Sequence, residues 1–385
     1  CPANQWCTPV YVPLPEQPPP QWQAVGDGGD TMVDTAAGIE VRRASDDSQW
    51  VFDKATGKVL SWRQRNGWTY SYGYTGGLLT QITNAFGRTL NLGYDAQGRL
   101  TGASGPGGQV AYGYDAQGRL QSAAQADGAS RAYLYEDARW PNAVTAVVNE
   151  AGVRWNTVAY DGQGRATLSE LAGGADRTQV AYGANSTAIT DALNTTRSYQ
   201  YQGSPGRGLR TTQASAPVGG NSMASQTLDG SGLTQSETDY LGITTLYTWD
   251  AARRLKLSET RAAGRPEAQT SQTQWHPTYR LPLLVTEAGR STAYTYDAAG
   301  NKLGETVTDL QSGQARTWAW TYGGRGVVTS LTEPGGAVWK YVNGPLGLPT
   351  RITNPLGHET NYEYDNAGRV TRIAQDALAV QIVKR

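Results

Sequence analysis

The sequence predicts an all-β protein, with repeated β-hairpins lying side by side in one long, spiralling antiparallel sheet. Three observations carry that expectation. The string GYDAQGRL occurs twice within residues 93–120, the second copy twenty residues after the first. Looser copies run along most of the 385-residue chain. The composition is skewed as well, with 47 Gly, 22 Tyr and 12 Trp against 2 Phe, 2 Met and 2 His. Gly supplies turns with positive φ, and Tyr and Trp favour pleated, half-buried surfaces.

Self-similarity at a fixed period marks an array of structural units. Aligned on Tyr-Asp or its equivalent, the series begins Phe52-Asp53, Tyr74-Thr75, Tyr94-Asp95, Tyr114-Asp115 and Tyr135-Glu136. It continues through Tyr160-Asp161, Tyr182-Gly183, Tyr201-Gln202, Leu228-Asp229, Trp249-Asp250 and Trp275-His276. Tyr296-Asp297, Tyr322-Gly323, Val342-Asn343 and Tyr364-Asp365 complete it. About fifteen units therefore extend from near residue 50 to near residue 370.

Each part of the unit has a physical reason. First comes a strand with aromatics at every second position, such as Tyr112 and Tyr114 or Trp318, Trp320 and Tyr322. Period two places them on one face. A turn follows, running from Asp95 to Gly98, Asp115 to Gly118, Asp161 to Gly164, Asp297 to Gly300 and Asp365 to Gly368. Asp bonds to backbone N–H groups two or three residues on, and Gly takes the positive φ. The aromatics next to these turns, Tyr94, Tyr114, Tyr160, Trp249, Tyr296 and Tyr364, are expected to pack between neighbouring hairpins or to offer faces to sugars.

A short returning strand comes next, as in RLTGAS and RLQSAA, and then a second Gly turn, as in NAFGRT and NPLGHET. Asn194 stands at one such Gly position. Asn is the residue that best replaces Gly in the left-handed region, so backbone geometry holds the position. One hairpin alone is marginal in water. Neighbours cover its aromatic face, so stability grows with copy number, and the motif has to be repeated.

Residues 1–24 carry seven prolines and read as an extended N-terminal tether. Residues 25–66 hold strand-like pieces and form the leading repeats. The array occupies 67–375, with a long surface loop near 203–225, and 376–385 is a tail that continues as a strand or turns helical. The chain opens on Cys rather than Met, which reads as a processed or excised form. Cys1 and Cys7 fit two readings: a small disulfide loop or two uninformative thiols, or a Cys1 exposed by signal cleavage and lipid-modified. A body free of other cysteines agrees with an exported chain, secreted or at the cell surface, which is the expectation.

Charge is balanced, with 33 basic and 33 acidic residues. A nucleic-acid partner would call for a basic excess. No apolar run approaches the ~18 residues of a membrane-spanning helix. His276 and His358 lack metal-ligand spacing, and no G-x-S-x-G string occurs. The repeated aspartates could be read as a glycosidase pair, but each is fully explained as a turn residue. The expectation is a non-enzymatic scaffold with no cofactor. The competing expectation is a surface adhesion or carbohydrate-binding module with glycan or cell-surface partners.

The set YDAQGRL (twice), YDGQGRA, YDAAGNKL and YDNAGRV resembles the Rhs/YD-repeat family over roughly residues 50–375. That resemblance implies hairpins wound into a hollow shell, as in bacterial polymorphic toxins, insecticidal toxin complexes and teneurins. It implies as partners a C-terminal toxin or effector polypeptide, or flanking shell repeats. The family's closing segment carries a DPxGL-type signature and an aspartate pair. The nearest strings here, NPLGHET and NGPLGLPT, lack that pair, so only the scaffold carries over. About thirty strands at ~4.8 Å spacing make a ribbon roughly 145 Å long, or a ring ~45 Å across. Its two open ends would need flanking chain or a partner to cover them.

Overall fold

The structure, a computed structural model, describes residues 10–13, 21–25, 30–204, 208–214, 223–375 and 378–381. Cys1 and Cys7 lie outside the described residues. The described chain forms 35 strands and no α-helix. From the first strand to the last, each pairs antiparallel with its neighbour in sequence. Short turns allow nothing else, because a parallel neighbour needs a crossover of a dozen residues or more.

Two long runs carry the fold, and both are open rather than closed into a barrel. The first has 17 strands, from Thr31–Thr35 to Thr196–Ser204, and the second has 14, from Met223–Leu228 to Val370–Gln375. Fifteen of the strand pairs, from Gln49–Phe52 with Val59–Arg63 to Glu359–Tyr364 with Val370–Gln375, are the fifteen units of the sequence.

Two segment expectations change. The stretch 203–225 is not a loop throughout, because Gly208–Ala214 is a strand within it. That strand pairs with Thr196–Ser204 from Ser204↔Gly208 to Tyr199↔Ala214 and meets the second run through the single pair Gln213↔Ser225. Backbone groups beside an open strand edge gain partners by pairing, whatever the side chains. The Pro-rich stretch 1–24 is likewise not all tether, since Val10–Pro13 and Gln21–Val25 pair with each other and extend the ribbon. Pro13 ends its strand, one of the places a sheet tolerates a residue without N–H. At the other end Leu378–Gln381 continues the ribbon as a strand.

The two faces differ. Trp50, Trp62 and Tyr70 lie opposite one another on one face. Their rings stack at 5.3 Å and 4.8 Å between centroids. On the other face hydroxyls pair across strands, as in Thr238 with Thr244 (3.0 Å), Thr260 with Thr270 (2.9 Å) and Thr306 with Thr317 (3.0 Å). Such cross-strand pairs are the stabilising unit of a sheet. Among the described residues only Ala146, Leu233, Leu255 and Ala262 are buried hydrophobic residues. The ribbon is therefore a single layer, with its large side chains half-covered by their neighbours.

Candidate functional site

The repeating turn is built alike in every full copy. At Asp95 the carboxylate accepts from the Gln97 and Arg99 amides at 3.0 and 2.9 Å, and Arg99 Nε lies 2.7 Å from its second oxygen. Asp115 does the same with Gln117 and Arg119, as does Asp161 with Gln163 and Arg165, and Asp365 with Ala367 and Arg369. At Asp297 an Asn301 amide group replaces the guanidinium, at 2.8 Å. Gly98, Gly118, Gly164, Gly300 and Gly368 all sit at φ between 75° and 79°. On the opposite ribbon edge Asn194 has φ 61°, as its place in the sequence requires. The amides of Arg99 and Arg165 hold the Asp95 and Asp161 carboxyls below the usual carboxylate range.

The aromatic before each turn does something that periodicity does not reveal. Tyr94 and Tyr114 donate their hydroxyls to the Leu79 and Leu100 carbonyls, at 2.7 and 2.8 Å. Tyr160 reaches Val144 (2.7 Å), Tyr296 reaches Pro282 (2.9 Å) and Tyr364 reaches Pro349 (2.8 Å). In each case the acceptor lies within two residues of the start of a strand of the preceding hairpin. Trp249 substitutes its indole N–H, donating to the Thr234 carbonyl at 2.7 Å. Asn343 uses its amide, donating to Val328 at 2.7 Å.

Asn343 also corrects the repeat frame by one residue. It pairs with Pro349 past a bulge, as Tyr364 pairs with Val370, and Gly344 rather than Asn343 opens the turn. The excess of Tyr over Phe in the composition was the signal for this latch: a ring needing only burial would often be Phe. Basic residues then cap the rings, with Arg99 4.7 Å above Tyr114, Arg119 4.5 Å above Tyr135 and Arg165 4.3 Å above Tyr182. One Arg thus ties its own turn to the aromatic of the next hairpin.

A second set of contacts joins residues more than 230 positions apart. The backbone N–H of Arg280 donates to Asp47 at 2.9 Å, and Arg42 donates to the Thr278 carbonyl at 3.1 Å. Trp68 Nε1 donates to the Arg325 carbonyl, and Arg88 donates to the Ala367 carbonyl at 2.6 Å. A Cβ built on Gly347 would overlap the Phe86 ring, and one on Gly300 would strike Arg65. The Y-D edge of the second run is therefore seated against the opposite edge of the first. Asp47, with a side chain only 3% exposed, anchors this seam among Arg42, Arg65 and Arg280. A buried carboxylate needs such partners.

Both histidines sit in turns. His276 Nδ1 accepts the Thr278 and Tyr279 amides and so shapes its own turn. His358 lies in a turn beside Asn354. Among the described residues no group of three His, Cys, Asp or Glu side chains could hold a metal, and no helix is long and apolar enough to cross a membrane.

Three stretches, residues 94–130, 229–266 and 345–379, match the family described as RHS Repeat. No curated protein matches the chain. Among solved structures, the Tc holotoxin pore of Photorhabdus luminescens with a mutated TccC3 is similar at TM-score 0.60 and 14% identity. The match covers 92% of this chain and 21% of that one. The TcdB2-TccC3-Cdc42 crystal structure follows at 0.58 and 14%, over 92% and 21%. TcdB2-TccC3 without its hypervariable C-terminal region follows at 0.51 and 13%, over 96% and 22%. At such identities the likeness shows the fold. The chain spans about a fifth of the length of these solved chains.

Proposed function

Because three stretches of this chain match the RHS Repeat family, we propose that it is a non-enzymatic segment of a β-shell that encloses or presents a toxin or effector polypeptide. The observation that carries the reading is the seam. A single-layer ribbon has no core of its own beyond its neighbours, yet it returns on itself with its turns interlocked. That is how one layer becomes a wall. Tc toxin structures with the same fold support the same role. A role in toxin delivery also places the chain outside its cell of origin, as an exported protein.

The adhesion reading requires aromatic faces free to stack on sugars. Tyr114, Tyr135 and Tyr182 are capped by guanidinium groups, and Trp62 is stacked between Trp50 and Tyr70. Those contacts favour enclosure.

The test is protease treatment of the assembly purified from its native source. A polypeptide that resists digestion until the particle is denatured is the expected result. If every co-purifying chain is cut as fast as when free, the shell reading is wrong. Binding to a glycan array would favour adhesion instead.

A further inference from the structure

The seam is held differently from the ribbon it closes. Within a run each strand is laddered to the next, as where seven register pairs join Arg290–Tyr296 to Lys302–Asp309. Between described residues the seam has no backbone ladder, and every hydrogen bond across it involves a side chain. Four such bonds cross it, joining Arg42 to Thr278, Arg280 to Asp47, Trp68 to Arg325 and Arg88 to Ala367. Those of Arg42 and Trp68 are exposed to solvent. Water replaces the lost partner of an exposed bond at once, so breaking it costs little. Packing along the seam is open too. A hollow of about 630 Å³ lies on it, walled by Ser48, Trp62 and Asn66 from the first run and by Leu281, Tyr296 and Tyr322 from the second.

The buried charges are arranged so that neither side depends on the other. Asp47 accepts the Arg280 N–H across the seam, but its ion-pair partners Arg42 and Arg65 belong to its own run. The Arg280 guanidinium likewise donates within its own run, to the Arg253 and Arg254 carbonyls at 2.8 and 2.9 Å. Parting the runs therefore leaves no charge buried without a partner, the usual reason a broken ionic contact is expensive. At their junction in the ribbon the two runs are paired only through Gln213↔Ser225.

We propose that the seam is an opening built into the fold, along which the two runs part as a unit while the hairpins within each run stay paired. Elements held by few buried contacts and by exposed hydrogen bonds open at a fraction of the cost of global unfolding. Such an opening would release an enclosed polypeptide without unfolding the wall. That role rests on the shell reading, whereas the parting itself does not and is measured on the chain alone.

Thiol trapping without denaturant, in a Cys1→Ser, Cys7→Ser background, tests it. Ser48→Cys is the probe, because Ser48 is 1% exposed and lies on the seam. Ala146→Cys is the reference, 0% exposed and paired within the first run to Leu134 and Thr157. The Ser48→Cys thiol is expected to react at least a hundredfold faster than the reference. Arg88→Met, which removes the bond to Ala367 farther along the seam, is expected to quicken it about tenfold more and to leave the reference unchanged. Equal rates at the two thiols overturn the proposal, because the seam then parts only when the chain unfolds. A Ser48→Cys rate indifferent to Arg88→Met also overturns it, because the seam then frays locally. Amide exchange gives the same comparison with the native residues at 48 and 146. The Arg280 amide is expected to quicken with Arg88→Met while the ladder amides of Arg290–Tyr296 do not, and an unmoved Arg280 counts against the proposal in the same way.

Discussion

The Tyr114 hydroxyl donates to the Leu100 carbonyl at 2.8 Å, fastening one hairpin to the one before it. Removing that hydroxyl alone, with Tyr114→Phe, keeps the ring and its contact with Arg99. A half-buried hydrogen bond of this kind contributes about 1 kcal/mol. The urea midpoint is expected to fall accordingly. Because this latch joins adjoining hairpins, away from the Arg65–Gly300 part of the seam, amide exchange quickens within 95–125 and stays unchanged at 290–305.

Gly347 and Gly289 separate packing from backbone strain. Both are left-handed, at φ 73° and 77°, but Cβ space at Gly289 is open while at Gly347 the Phe86 ring fills it. Alanine at either site carries a strain of about 1–2 kcal/mol. Gly347→Ala is expected to lose roughly 1–3 kcal/mol more through overpacking. In a Phe86→Ala background that excess disappears, which a double-mutant cycle on thermal unfolding would measure.

Alkaline pH attacks the latches. Burial pushes Tyr296 up to about 12 and raises Tyr160, Tyr322 and Tyr364. An unfolded Tyr titrates near ~10, so the native state holds the proton more tightly. The tyrosine contribution is complete below that value and is lost as pH climbs through the raised native values. Thermal midpoints, followed with phenolate absorbance, should be flat with respect to these groups to pH ~10 and drop beyond it.

Acid attacks the turns. Asp95, Asp161 and Asp191 are held low by backbone amides of Arg99, Arg165 and Thr195. An unfolded Asp titrates near ~3.9, so these groups stabilise the fold above that value. Their contribution is lost as pH falls through the depressed native values. The urea midpoint should therefore decline below pH ~4, and a midpoint unchanged down to pH 2 would exclude this role.

Strands, turn chemistry and repeat count were all legible in the sequence because their causes lie within about twenty residues. Period-two aromatics select a strand face, Asp gathers the turn amides, and Gly or Asn takes the positive φ. Asn343 shows the limit of that reading. Without a Tyr to mark the frame, Val342-Asn343 aligned one residue early, and only the amide bond to Val328 placed it correctly. The strands within 1–24 and 203–225 were hidden by proline and glycine, whose local preferences yield to pairing at a ribbon edge.

The sequence by itself determined the hairpin and its repetition. Only the tertiary structure decided which carbonyl each tyrosine finds and that Phe86 meets Gly347, Trp68 meets Arg325 and Asp47 meets Arg280. Those partners are 233 to 261 residues apart, and their meeting depends on strand twist summed over many hairpins. A small rotation at every strand, invisible in any single repeat, sets where the ribbon returns to its own edge.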